Sequence, residues 1–320
     1  MKRLLAGILS IAIANTTAAW GFLGHKTINN RAVFALPPEL FGFYKKHLEY
    51  ITQHAVDPDN RRYLFENEGC KHFMDCDHYE KRAPLDTIPH QWYKAVAIYG
   101  EDSLKLHGIV PWNTYMVFKQ LTKAFSEKNV PRILKLSADI GHYIADAHVP
   151  LHTSGNYNGQ KTGQEGIHAL WESRIPQLFL DSFQLMNGTV SYLDNPHEYL
   201  WKIVEESFSE IDSVLIIEKA LSVKMENKKY AFETVGNSIQ KVVSSEYCTA
   251  YKNAMNSMVE RRMRKAIYSV AGFWYTAWVD AGQPILETET PSPEADPMDA
   301  LAEKIKSQGK IKGREEQGGE

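Results

Sequence analysis

The sequence predicts an all-α protein, a single multi-helix domain, on two observations. Apolar residues recur at i, i+3, i+4 spacing through Trp92 to Tyr99, Trp112 to Ser126 and Val130 to Ala147, the pattern of helices packed by one face. No stretch shows the regularly spaced alternating strands of a barrel or sandwich. At 320 residues and 43% hydrophobic content the chain can bury a large core. Its formal net charge of -3 excludes the global basic field that drives non-specific nucleic-acid binding.

Residues 1–19 read as a secretory signal peptide, with Lys2 and Arg3, an apolar run from Leu4 to Ala14, and small residues Thr17 and Ala19 before the cleavage point. The run is too short to span a bilayer comfortably, so no stable membrane insertion is expected. Cleavage after Ala19 makes Trp20 the new N-terminus of an exported protein, periplasmic or extracellular. Cys70, Cys76 and Cys248 fit either one disulfide and a free thiol or three buried thiols.

One helical domain is expected over residues 20–283, since no internal repeat or linker interrupts it, and the protein is expected to be a monomer. Trp20 to His25 reads as an aromatic anchor beside a loop histidine, although a free α-amine at Trp20 can also ligate a metal. A helix from Lys26 to Leu36 stops at Pro37-Pro38, a second runs from Glu39 to about Thr52, and His54 to Asp59 forms a turn. The string from Cys70 to His78 is a polar loop or a short extended segment. Helical spacing resumes over Val190 to Phe208, Ile211 to Met225, Tyr230 to Thr249 and Tyr251 to Ala281. Residues 284–320 lack the apolar content to pack, which predicts a disordered tail with a short helix conceivable from Met298 to Ile305.

Candidate chemistry is concentrated between Ser137 and Glu172. His142 and Asp146 stand four apart in an apolar helical run that Pro150 ends, so both leave one helix face. His152 follows, then a Gly/Asn-rich loop, then His168 and Glu172, again four apart, before Pro176. Either pair alone is equally well an ion pair. Two pairs with His152 between them favour a metal site, because imidazole nitrogen and carboxylate oxygen are zinc ligands. His148, about 240° round the helix from His142, faces elsewhere.

With these residues in hand, the chain resembles the superfamily of trinuclear zinc phosphodiesterases that joins bacterial zinc-dependent phospholipases C with single-strand-specific nucleases of the S-one/P-one type. The resemblance rests on the Trp-Gly start with His25, Asp57 followed by the His72-Phe-x-Asp-x-Asp string, the His142/Asp146/His152 series and the closing His168/Glu172. It implies three zinc ions: one between Asp57, His72, His142 and Asp146; a second among His152, His168 and Glu172; a third on the amine and carbonyl of Trp20 with His25, Asp146 bridging. It also implies that Asp57 orients or deprotonates the attacking water, and that Phe73 and Asp75 contact substrate.

The implied substrate is a phospholipid or a single-stranded nucleic acid. Glu172 as last ligand and the sixteen-residue interval from His152 to His168 look like the phospholipase branch. Trp171 and Gly155-Asn156 look like the nuclease branch, in which Phe73 would stack a base. The nuclease pattern has an Arg three residues after the Asp matched by Asp57, where this chain has Asn60. A secreted zinc-binding protein without turnover is the remaining reading.

Overall fold

The computed structural model describes residues 21–235, 238–286, 293 and 296–307; the expected leader and Trp20 lie outside them. In chain order the helices are α1 (Gly21–Ala35), α2 (Pro38–Lys46), α3 (Leu48–Gln53), α4 (Asp57–Arg61), α5 (Cys76–Tyr79), α6 (Trp92–Tyr99), α7 (Glu101–Leu106), α8 (Val110–Ser126), α9 (Val130–Ala147), α10 (Ile167–Ala169), α11 (Ile175–Phe179) and α12 (Pro196–Lys224). A hairpin of β1 (Tyr230–Val235) and β2 (Ser238–Val243) precedes α13 (Ser245–Ala254), α14 (Met258–Asp280) and α15 (Pro297–Ser307). Among the described residues the fold is all-α apart from this hairpin.

α9 is the axis of the molecule. Asn129 caps it by accepting the Arg132 N–H at 3.2 Å, Pro131 sits in its first turn, and Pro150 lies just beyond its end. Every residue from Leu136 to Ala147 is buried, because α8, α14, α1 and α3 all pack against it. A helix enclosed in this way presents His142 and Asp146 to the interior instead of to water. α1 crosses α9 most closely at Gly141, where an added Cβ would overlap the Asn29 side chain. The Asn29 amide donates to the Ala138 carbonyl at 3.1 Å and fixes that crossing.

Several elements differ from the sequence expectation. α1 starts at Gly21, so His25 is a helix residue and not a loop residue; its burial with Ile28, Asn29 and Ala32 against α9 and α14 overrides the helix-weakening effect of Gly21 and Gly24. The two helices expected from Val190 to Met225 are one 29-residue helix that starts later, at Pro196, with Asn195 as its cap. Tyr230 to Val243 is a hairpin and not a helix: Tyr, Phe, Thr and Val suit a pleated surface, and Gly236-Asn237 stands between the strands in sequence. All three cysteines are buried free thiols. Within the stretch expected to be a mobile tail, α15 docks on α4, with Asp299 3.2 Å from Arg61 and 2.7 Å from Lys135.

Candidate metal centre

Asp146 lies at the convergence of four imidazoles. Its Oδ2 is 2.9 Å from His72 Nδ1 and 3.1 Å from His142 Nε2; its Oδ1 is 3.4 Å from His25 Nε2 and 3.6 Å from His152 Nδ1. His25 arrives from α1 and stacks on the His142 ring at 3.8 Å. His72 arrives from the 3-10 turn Gly69–His72, and its ring stands edge-on to His142. A second group follows, with His168 Nε2 2.7 Å from Glu172 Oε1, His152 Nε2 3.5 Å from Glu172 Oε2 and the two Nε2 atoms 3.2 Å apart. His168 sits on α10 and Glu172 on the π-helical turn Leu170–Arg174 that continues it, a widened turn of the kind found at functional sites.

Backbone carbonyls orient three of these rings. His142 Nδ1 is 2.8 Å from Ala55 O, His152 Nδ1 2.7 Å from His72 O and His168 Nδ1 3.1 Å from Tyr157 O. With Nδ1–H donated outward, each Nε2 lone pair is directed into the cluster, the usual support for a metal-bound histidine.

The carboxylate facing this first group is Asp59. It stands 3.8 Å from His142 and 3.9 Å from His72, and its carboxylate can share one centre with His25 and His142. Asp57, expected there, instead accepts from His54 Nδ1 at 2.6 Å. Both acids lie on α4, and residues two apart on a helix leave it about 200° apart, so only one can face α9. Of the candidate substrate residues, Phe73 is buried, with Gly108 packed so closely over it that a Cβ there would overlap the Phe73 carbonyl and ring. Asp75 is buried, 3.7 Å from His107. Asp77 accepts from Ser154 Oγ at 2.9 Å and from the Gly155 N–H at 2.8 Å, pinning the start of the loop that leads to His168. His148 turns away to α14, 3.3 Å from Ser269.

Charge within the cluster is strongly coupled. Burial opposes ionisation of Asp146, but His142 and His152 outweigh it and hold its carboxyl well below the ordinary range. Burial is likewise outweighed at Glu172, which His168 and His152 hold down to about 2. His142 is pushed up to about 9, because Asp146 and Asp59 overcome its burial, whereas burial dominates at His72 and lowers it to about 4. Behind His72, burial of Glu68 is offset by Arg61, which draws its carboxyl down to about 2; Glu68 also accepts from the Tyr143 hydroxyl. Sequence reasoning passed over Glu68 and Arg61, which carry no motif spacing.

These groups fit a metal. His25 Nδ1 and Nε2, Asp59 Oδ2, His72 Nε2, Asp146 Oδ1 and both Glu172 oxygens are buried and make no hydrogen bond. At about 1–3 kcal/mol for each such group, the set would rival the roughly 5–15 kcal/mol that stabilises a whole domain. The atoms approach one another without hydrogen-bond geometry, as donors converging on a shared cation do. Tetrahedral zinc with bonds of about 2.0–2.1 Å separates its ligand atoms by roughly 3.3–3.4 Å, and the distances above bracket that value. Among the described residues, three ligand groups have atoms within 4.8 Å of one another: His25/Asp59/His142, His72/His142/Asp146 and His152/His168/Glu172.

Residues 24–234 match the family model described as zinc dependent phospholipase C. The chain belongs to the zinc-dependent phospholipase C family. No curated protein sequence matches the chain. Among solved structures, the alpha toxin from Clostridium absonum is similar at 13% identity and a TM-score of 0.49, over 83% of this chain. The chain spans about two thirds of that toxin's length, 65%. Among the described residues no helix is long and apolar enough to cross a membrane.

Proposed function

We propose that the protein is an exported zinc-dependent phosphodiesterase of phospholipase C type, holding three zinc ions on His25, Asp59, His72, His142, Asp146, His152, His168, Glu172 and the Trp20 terminus. The observation that carries this reading is the buried, unbonded donor set around Asp146 and Glu172 in a chain of this family. Zinc held there supplies Lewis-acid activation of a phosphodiester and of the water that attacks it. The chain's own residues do the rest. Asp146, with two imidazoles on each oxygen, spans the first group and reaches His152 of the second. Ala55, His72 and Tyr157 carbonyls fix the ring orientations, and Arg61 keeps Glu68 ionised behind His72. In this reading Asp57, bonded to His54, is a support of α4, and Asp59 takes the ligand position.

A phospholipid is the favoured substrate. Phe73, the base-stacking candidate, is buried and packed under Gly108. A second reading, single-strand nuclease, has one observation in its favour. With Asp59 in the ligand position, the residue three later is Arg62, whose guanidinium is 3.5 Å from Asp59 and could clamp a phosphate. Zinc-loaded mature protein assayed on phosphatidylcholine and on single-stranded DNA decides between them. Release of phosphocholine with DNA left intact is expected; cleavage of DNA with no phosphocholine released would transfer the protein to the nuclease reading.

A further inference from the structure

The β1/β2 hairpin has its amphipathicity inverted. Register places Tyr230, Phe232 and Thr234 on one face with Val243, Lys241 and Ile239 directly opposite. That face is turned to solvent, with Phe232 73%, Ile239 74% and Tyr230 46% exposed. The other face is held against the protein by polar contacts. Arg174 Nη2 donates to Glu233 at 2.6 and 2.7 Å and Arg174 Nε to the Val243 carbonyl at 3.1 Å. A two-stranded hairpin gains little stability by itself, and one that turns Tyr230, Phe232 and Ile239 outward while Glu233 is bonded inward is shaped for something that covers it.

We propose that this face docks the protein on a lipid surface, an inference that rests on the phospholipase reading above. Two observations select a lipid surface as the occupant. First, Tyr and Phe with an aliphatic neighbour and a lysine are the composition that partitions to the headgroup boundary. Lys241 holds its ammonium 4.2 Å from the Tyr230 ring, with no acid paired to it among the described residues, which suits lipid phosphate. Second, the patch is too small for a stable partner. A fully covered aromatic buries about 150–250 Å², so three side chains fall short of the roughly 800 Å² per partner of a specific protein interface.

The test uses zinc-loaded mature protein, wild type and the double variant Phe232→Ser/Ile239→Ser, with vesicles of a phosphatidylcholine analogue whose bridging oxygen is replaced by carbon and so cannot be cleaved. Wild type is expected to float with the vesicles, and the variant to bind at least about tenfold more weakly. Hydrolysis of a soluble aryl phosphodiester and the melting temperature should be unchanged, while hydrolysis of phosphatidylcholine in vesicles falls by a similar factor. Lys241→Glu should weaken binding further when anionic lipid is included. Unchanged flotation of the double variant overturns the proposal and leaves the phospholipase reading intact. Hairpin-dependent flotation without any phospholipid hydrolysis overturns that reading and leaves the docking face in place. Loss of soluble-ester activity together with flotation would make the hairpin a support of the site, and a wild-type dimer abolished by the same substitutions would assign the face to a second copy; either result overturns lipid docking.

Discussion

Asp57 and Asp59 differ by two positions and by everything that surrounds them. Asp59 faces His25, His72 and His142 with a buried oxygen that makes no hydrogen bond, whereas Asp57 is bonded to His54. We predict that Asp59→Asn lowers both zinc content and turnover of an aryl phosphodiester, the latter by more than about 100-fold. Asp57→Asn should cost about tenfold or less, the lower end of what loss of an outer partner costs. Elemental analysis and initial rates on the two purified variants check this, and the reverse order would restore Asp57 to the centre. The paired spacings of His142/Asp146 and His168/Glu172 were legible in the sequence because residues four apart share a helix face whatever packs on it. The choice between Asp57 and Asp59 was not legible. It depends on which way α4 is rotated against α9, and that is set by contacts far away in sequence, including the docking of Asp299 on Arg61.

At the scale of elements, the crossing of α1 and α9 places His25 on the His142 ring. Gly141→Ala would push the Asn29 side chain and with it α1, at a cost of about 1–3 kcal/mol for overpacking. Because the overlap is with Asn29 itself, Asn29→Ala should relieve part of that strain. The double variant is therefore predicted to be less destabilised than the sum of the singles, with a coupling above about 0.5 kcal/mol. Strict additivity in denaturant melts would mean that the two helices do not meet there. Glu218 provides a second test, on α12. Buried, it accepts from Gln164 at 2.6 Å, Ser222 at 2.6 Å, Tyr247 at 2.8 Å and Lys229 at 2.8 Å. Burial raises its pKa, but these donors, Lys229 foremost, outweigh burial and leave it lowered. A lowered folded-state pKa gives stability that is present above the unfolded value, near 4.3, and is lost as pH falls through the folded value. The melting temperature should thus drop as pH is taken below about 4, and Glu218→Gln should flatten that drop while lowering stability at neutral pH. An identical acid limb in the variant would remove Glu218 from the account. α6, α8 and α9 were readable to within a residue or two because their apolar periodicity is strong and proline or asparagine punctuates their ends. The hairpin was not, since Tyr, Phe and Val satisfy helical and pleated spacing alike over so short a run, and here its apolar face does not point inward.

Across the whole molecule, ligands from α1, α4, the Gly69–His72 turn, α9, the Pro150–Thr153 turn, α10 and the π-helical turn meet at one place. Metal binding on such a set is coupled to folding, since no partly folded chain holds the ligands together. The central claim is that this place is a zinc cluster, and zinc counting tests it most directly. Mature protein beginning at Trp20, purified without chelator, is predicted to contain about three zinc ions per chain. Stripping them should lower the melting temperature and abolish phosphodiester hydrolysis together, with both restored by added zinc. Protein that keeps the leader should hold fewer, because the Trp20 amine is then a peptide nitrogen. One zinc or none in active, correctly processed protein, or a melting temperature indifferent to chelation, would contradict the account.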